Sequence, residues 1–182
     1  MRFVDISTCP DITELQTTSP EFVELDVSGC IGLQFISGAF NLIGMEDLVS
    51  LRHLDFATER NLTIFDFPLL ERIDLGLFLG DKVMVRNCPV LVEINISSSY
   101  EAADQGLFYE LEVSEAPSLL RIIANEGNAL KNIFATGLSS LDFIDLNYEN
   151  IDSVDLSNNP KLESIFISPD PIDYVNMRTV YH

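Results

Sequence analysis

Apolar and polar residues alternate in a fixed unit along this chain, most clearly in the stretch IDSVDLSNNPKLESIFIS, residues 151–168. Two half-turns follow each other there, each with apolar residues at positions one, four and six. These residues are Ile151, Val154 and Leu156, then Leu162, Ile165 and Ile167. Such alternation predicts short strands with one buried face. Asn159-Pro160 separates the two strands, and Pro suits a corner because it lacks an N–H donor and has a fixed φ.

The same unit recurs along most of the chain, and its half-turns fall into two alternating sets. The first set begins at Met1, Phe22, Leu42, Leu62, Gly80, Phe108, Leu130 and Ile151. The second set begins at Ile12, Leu33, Leu51, Leu70, Leu91, Leu119, Leu141 and Leu162. One half-turn from each set makes one coil, which predicts eight coils with a period of 18–22 residues. The stretch SSSYEAADQGL (residues 97–107) interrupts the period and predicts a loop insertion on one face.

A coil of this length cannot bury its own apolar edge, so successive coils must stack as a solenoid. Strands of each set should then pair in parallel. We expect the first set to form the inner sheet and the second set to form short strands or irregular turns on the outer side. The linking segments are short and rich in Asn, Ser and Gly, which predicts few or no long helices. The solenoid should span residues 1–168, and residues 169–182, which lose the period, should form a C-terminal cap or tail.

Position nine of the first set carries small or amide side chains, which are Cys9, Cys30, Cys88, Ala116 and Asn159. An Asn at a corner can bond exposed backbone of the turn, and a Cys can fill the same place as a small apolar residue. Three Cys is an odd number, which argues against a full disulfide framework, and their separation disfavours a metal site. We therefore expect the thiols to be buried packing residues.

The pattern Leu-x-x-Leu-x-Leu-x-x-Asn/Cys at a period near 20 resembles a leucine-rich repeat. VDLSNNPKLESI is similar to the short repeats, about 21 residues long, of internalin-like and Bacteroides-type proteins. The resemblance covers about residues 1–168 and implies an α/β-type leucine-rich repeat solenoid that is mostly β. It departs from the family in its many Phe and Val residues, in a weak third coil and in a corner column that is mostly Cys, Ala or other residues where the family has Asn. The resemblance implies protein–protein recognition with no chemistry of its own.

The chain is strongly acidic, with 29 Asp and Glu against 10 Lys and Arg and a formal net charge of -19. That field excludes nucleic acid as a favoured partner and favours a basic protein, a peptide or a cation. Alternatively, the acidity only keeps an apolar-rich solenoid soluble. No signal-peptide core or membrane-span run is present, which predicts no membrane insertion. We expect a cytoplasmic protein, or a secreted or surface protein if the chain is a fragment.

Position five of the first set predicts a column of outward residues: Asp5, Asp26, Glu46, Asp66, Met84, Glu112, Phe134 and Asp155. Position three adds Glu24 and Glu110, and Arg86 extends the interruption of the column at Met84. Stacked carboxylates should raise one another's pKa values and attract basic groups. Alternatively, the Asp residues only keep that face of the sheet solvated. Exposed Met, aromatic and Arg residues are typical of interfaces. Phe134 either belongs to that interface or is buried by the insertion.

Catalysis finds little support, because His53 and His182 are the only histidines and neither belongs to a nucleophile motif. We expect no enzymatic activity, no cofactor and no metal ion; the pattern also lacks a calcium-binding loop. The sequence favours a non-enzymatic module that binds a protein or peptide on the inner sheet, and the charge favours a basic partner. The alternative is a structural or adhesive repeat segment of a larger surface or secreted protein.

Overall fold

The computed structural model describes residues 2–18, 21, 23–58, 61–75, 80–96, 110–124, 130–146, 151–167 and 174–176. These residues form short strands, and their helical content is one 3-10 turn, Met45–Asp47. The strands are β1 (Arg2–Asp5), β2 (Glu14–Gln16), β3 (Val23–Asp26), β4 (Phe35–Ile43), β5 (His53–Ala57), β6 (Leu62–Phe65), β7 (Arg72–Leu75), β8 (Lys82–Arg86), β9 (Glu93–Ile96), β10 (Glu110–Ser114), β11 (Arg121–Ile123), β12 (Asn132–Ala135), β13 (Phe143–Leu146), β14 (Ser153–Asp155), β15 (Ser164–Ile167) and β16 (Tyr174–Asn176).

The strands form two sheets, and every strand pair in them is parallel. The six-stranded sheet has the order β16-β14-β12-β10-β8-β6. The ten-stranded sheet has the order β1-β3-β4-β5-β7-β9-β11-β13-β15, with β2 paired to β4. Identical repeat positions meet in the register, as where Ile133 pairs with Val154 and Ile144 with Ile165. The prediction of a mostly-β solenoid of stacked parallel coils is therefore confirmed.

The solenoid has about six turns of about 21 residues, so the prediction of eight coils is wrong. The six-stranded sheet begins only at β6, because β1 and β3 join the other sheet through β4. The first part of β4 pairs with β2 and its last part, Phe40–Ile43, pairs with β3. The chain thus passes from the second set to the first within one nine-residue strand and makes no corner there.

The register of the next half-turn also differs from the prediction. Leu62 and Ile64 pair with Val83 and Val85, so they occupy positions four and six. Phe65, predicted at position four, is 39% exposed, whereas Phe67 is buried and stands at position nine, as Cys88 does one coil later. Because β4 runs straight through, the corner residues that the predicted spacing assumes are absent. Each residue of the next half-turn therefore stands three positions later in the repeat than predicted, as Leu62 does at position four in place of position one.

The core is one continuous apolar cluster that both sheets line. Positions four and six supply most of it, and residues such as Ile94, Ile122 and Ile133 have no exposed surface. A buried Val or Ile side chain contributes roughly 1.5–3 kcal/mol, so stacked coils stabilise one another chiefly through this column. The core is less covered at the N-terminal end, where Val4 is 43% exposed.

Position eight of the first set takes a left-handed backbone conformation in coil after coil. The residues with positive φ there are Gly29, Asp66, Asn87, Glu115, Gly137 and Asn158. This conformation turns the chain out of the strand, so that the position-nine side chain enters the core. Only Gly adopts it without cost, and Asn and Asp tolerate it better than other residues do.

Two of these glycines differ in the space around them, which gives a matched test. A Cβ on Gly29 would lie 2.6 Å from the Ser7 carbonyl oxygen, whereas one on Gly137 would meet no atom within 4 Å. Gly137→Ala should therefore cost only the left-handed conformation, about 1 kcal/mol. Gly29→Ala should cost more than about 2 kcal/mol, because the backbone of two coils must also separate. Urea unfolding of both variants measures the difference, and equal losses would show that the coils are not in contact at Ser7.

Candidate functional site

The six-stranded sheet presents an outward face that we call the open face, made of the outward residues of β6, β8, β10, β12 and β14. The inward residues of these strands are buried, whereas outward residues such as Glu112 and Phe134 are only half-buried. Met84, Glu112, Phe134 and Asp155 are direct neighbours in the register. Because parallel strands lie about 4.8 Å apart, these four side chains form a continuous row across the coils.

Lys82 bonds two carboxylates of the next coil. Its Nζ lies 2.6 Å from Glu110 Oε1 and 2.7 Å from Glu112 Oε2. The hydrogen bonds to Glu110 and Glu112 raise the pKa of Lys82 above its ordinary value. The carboxylates of β10 are therefore held in fixed positions by a cation from β8.

A second ion pair lies at the C-terminal ends of β8 and β10. Arg86 Nη2 lies 2.7 Å and Nε 3.0 Å from Glu115 Oε1. Hydrogen bonding to Glu115 raises the pKa of Arg86. The open face carries two cations, Lys82 and Arg86, against three carboxylates, Glu110, Glu112 and Asp155; Glu115 adds a fourth carboxylate from the turn after β10. It is thus acidic with a partly neutralised centre, at the place where the sequence predicts an interruption of the acidic column.

The structure brings together six of the predicted site residues on the open face: Met84, Arg86, Glu110, Glu112, Phe134 and Asp155. The other five lie elsewhere. Asp5, Glu24 and Asp26 belong to β1 and β3 of the ten-stranded sheet. Glu46 lies in the 3-10 turn, and Asp66 lies in the turn after β6.

The placement of Glu46 and Asp66 on strands was wrong for one reason, the three-residue shift that β4 introduces. Position five is occupied by Ile43 in β4 and by Thr63 in β6. Asp66 instead stands at the left-handed position eight, where its Oδ1 accepts a hydrogen bond of 2.6 Å from Asn87 Nδ2. This contact links two corners and places the carboxylate away from the open face.

Several position-five aspartates have a structural role that the sequence reading missed. Asp5 Oδ1 accepts hydrogen bonds from the N–H and the hydroxyl of Ser7, at 2.9 and 2.6 Å. Asp26 bonds both groups of Ser28 in the same way, and Asp155 Oδ1 accepts the N–H of Ser157 at 2.9 Å. These are Asx turns that end the strand. The sequence Asp-x-Ser recurs at all three places and could have predicted these turns.

The expected rise in carboxylate pKa values is wrong at Asp5, the first member of the column. Its pKa is lowered, because the Ser7 hydroxyl donates a hydrogen bond to the ionised carboxylate. The Ser7 N–H donates a second hydrogen bond, which has a smaller effect in the same direction. Hydrogen bonds to the charged form favour that form. Local turn bonding thus outweighs repulsion between stacked carboxylates at this position.

Five further residues complete the open face: Thr63, Phe65, Ser114, Asn132 and Ser153. Asn132 and Ser153 occupy position three: Asn132 lies directly beside Glu110 in the register, and Ser153 lies beside Asn132. Their identity could have been read from the same half-turns, but the sequence singled out only charged, Met and aromatic residues. Short polar side chains here leave room above the row of Glu112, Phe134 and Asp155.

Two cavities lie outside the central row of the open face, one on the other sheet and one that reaches the β6 edge of the open face at Thr63. A pocket of about 380 Å³ on the ten-stranded sheet is lined by Arg121, Ile123, Asp142, Phe143, Glu163 and Ser164. A cleft of about 210 Å³ opens between β4 and β6, beside Met45 and Thr63. Each lining contains hydroxyl and carboxylate side chains: Ser164 with Asp142 and Glu163 in the pocket, and Thr58 and Thr63 with Glu46 in the cleft.

The described ranges contain no cluster of metal-ligating side chains. No three His, Cys, Asp or Glu side chains of these ranges come together in a way that could hold a metal ion. Burial raises the pKa of the Cys88 thiol to about 11, so its reactive thiolate form is scarce near neutral pH. The insertion at residues 97–107 lies outside the described residues.

Comparison with protein-family models, with curated proteins and with solved structures finds no match for this chain. Within the part of the chain that the structure describes, no helix has the length and apolar character that a membrane crossing needs. The geometry of the open face is therefore the basis for a functional assignment.

Proposed function

We propose that the protein is a leucine-rich-repeat-type solenoid that binds a basic polypeptide on its open face and has no enzymatic activity. The observation that carries this proposal is the row Met84, Glu112, Phe134, Asp155, in which apolar and acidic side chains alternate from coil to coil. Parallel sheets usually have both faces covered, so a half-buried outward row of this composition is suited to a partner. Met and aromatic residues supply contact area, and carboxylates select a cationic partner.

The spacing of this row favours an extended partner that crosses the strands. Glu112 and Asp155 are two coils apart, and so are Met84 and Phe134, which places the members of each pair roughly 10 Å apart. A polyproline II helix repeats every three residues over roughly 9 Å. A peptide in this conformation with Lys or Arg at every third residue would present one cation to each carboxylate of the row.

A synthetic peptide of repeated Lys-Pro-Leu triplets is a direct probe of this proposal, with Glu-Pro-Leu as its charge-reversed control. The Lys peptide should bind, and its affinity should fall steeply between about 50 and 500 mM salt, because the contacting charges are solvent-exposed. The Glu peptide should not bind. Isothermal titration calorimetry measures both affinities.

Removing the two carboxylates of the row should weaken binding about tenfold in the double variant Glu112→Gln, Asp155→Asn, because two exposed charge pairs are lost. The Asn at position 155 retains the Oδ1 acceptor for Ser157, which preserves the turn. Glu163→Gln, immediately before β15 of the ten-stranded sheet, is the control and should leave the affinity unchanged. Equal effects of the two changes would remove the open face from the binding site.

A further inference from the structure

Position nine brings two cysteines next to each other at one end of the solenoid. In chain order, the residues at this corner are Cys9, Cys30, Leu48, Phe67, Cys88, Ala116, Leu138 and Asn159. Cys9 and Cys30 are neighbours in this column, whereas Cys88 lies between Phe67 and Ala116. The backbone N–H of Cys9 donates to Ile6 O at 2.9 Å and that of Cys30 to Val27 O at 3.0 Å, so the two thiols occupy the same place in equivalent turns.

The two turns are in direct contact on both sides of the cysteines. Before Cys30, a Cβ added to Gly29 would lie only 2.6 Å from the Ser7 carbonyl oxygen. After Cys30, the Gly32 N–H donates to the Pro10 carbonyl at 3.2 Å. The Cys30 thiol itself lies 3.2 Å from the carbonyl oxygen of Ile6, in the coil that holds Cys9.

The strands that lead into these turns are paired with the same sequence offset that separates the two cysteines. Val4 pairs with Leu25 and Asp5 with Asp26, an offset that also separates Cys9 from Cys30. Neighbouring parallel strands lie about 4.8 Å apart. That separation falls within the Cα–Cα range of disulfides, about 4.4–6.8 Å.

We propose that Cys9 and Cys30 are a disulfide site that joins the first two coils when a low-molecular-weight disulfide such as oxidised glutathione is present. Cys9 is half-buried and Cys30 is buried, so Cys9 meets the oxidant first. Its thiolate attacks one sulfur of oxidised glutathione, which forms a mixed disulfide and releases one glutathione thiolate. The Cys30 thiolate then attacks the Cys9 sulfur and releases the second glutathione.

The exchange balances: two protein thiols lose two electrons and two protons, and one glutathione disulfide becomes two thiols. Burial raises the pKa of the Cys30 thiol, so the second step should become faster as pH rises and more Cys30 thiolate forms. The product would join the coils where the core is least covered, since Val4 is 43% exposed. Closing this loop restricts the unfolded chain and should therefore raise the melting temperature.

The test is to incubate the folded, reduced protein with oxidised glutathione at about pH 8, alkylate free thiols after unfolding, and map the peptides by mass spectrometry. We expect a Cys9–Cys30 linked peptide, a mass loss of about 2 Da, an alkylated Cys88 and a melting temperature several degrees higher that returns to its original value on reduction. Cys88→Ser should give the same linked peptide, and Cys30→Ser should stop at glutathione attached to Cys9.

Recovery of glutathionylated Cys9 as the final product of the wild-type chain would overturn the proposal. Dimers joined through Cys9, or linked peptides that contain Cys88, would also overturn it. The wild-type protein carries the decisive comparison, because Cys88 serves as the internal control in the same sample. The result therefore does not depend on whether any cysteine variant folds.

Discussion

Asn159→Ala is expected to destabilise the protein by about 3 kcal/mol or more, since buried polar groups left without partners cost about 1–3 kcal/mol each. The Asn159 side chain is fully buried and makes three hydrogen bonds to backbone. Its Oδ1 accepts the Leu138 N–H at 2.8 Å, and its Nδ2 donates to Ala135 O at 2.7 Å and Leu156 O at 2.9 Å. Ala can replace none of these bonds and also leaves a cavity at the corner.

Asn158→Ala is the neighbouring control for this prediction. Asn158 is exposed and its φ is 62°, so Ala there should cost only about 1 kcal/mol for the left-handed conformation. Urea denaturation followed by circular dichroism measures both losses. If Asn159→Ala unfolds at the same urea concentration as the control variant, the side chain does not hold the two corners together.

The second large effect is expected at Ile133, which is fully buried in the core between the two sheets. Ile133→Ala should cost about 3–4 kcal/mol, because it removes buried methyl groups and leaves a cavity between stacked coils. Phe134, the next residue on β12, points outward and is half-buried. Phe134→Ala should cost roughly 1 kcal/mol in stability, because the ring lies on the outward face and is not part of the buried apolar cluster.

The same two variants should separate stability from binding. Phe134→Ala should weaken binding of the Lys-Pro-Leu peptide about tenfold or more, as interface aromatic residues commonly do. Ile133→Ala should bind with unchanged affinity under conditions where it remains folded. Thermal unfolding and calorimetry on the two proteins measure both quantities. A large stability loss in Phe134→Ala with no change in affinity would place this ring in the core.

The regular part of the fold follows from the sequence because one spacing serves both burial and pairing. From β8 to β14, residues at positions four and six are buried as predicted, for example Val83, Val85, Leu111 and Val154. Coils three and four could not be placed from spacing alone, because Leu62 fits either position one or position four. Phe67-Pro68 contains the missing signal, since Pro also follows position nine in Cys88-Pro89.

The candidate site was only partly predictable, because spacing assigns a residue to a face but not to a hydrogen-bond partner. Met84, Glu112 and Phe134 were placed correctly on one sheet. The pairing of Lys82 with Glu110 depends on which coils are neighbours across the insertion, and that appears only in the register. Asp5 was read as a binding group, whereas its partner is the serine two residues later.

The claim that the open face is the binding surface is tested most directly by a nuclear magnetic resonance titration of the labelled protein with the Lys-Pro-Leu peptide. We expect the largest chemical-shift changes along the row Met84, Glu112, Phe134 and Asp155. The equivalent residues of the ten-stranded sheet, Asn95 and Asp145, should shift little. Changes concentrated on the ten-stranded sheet, with the open-face row unaffected, would contradict the assignment.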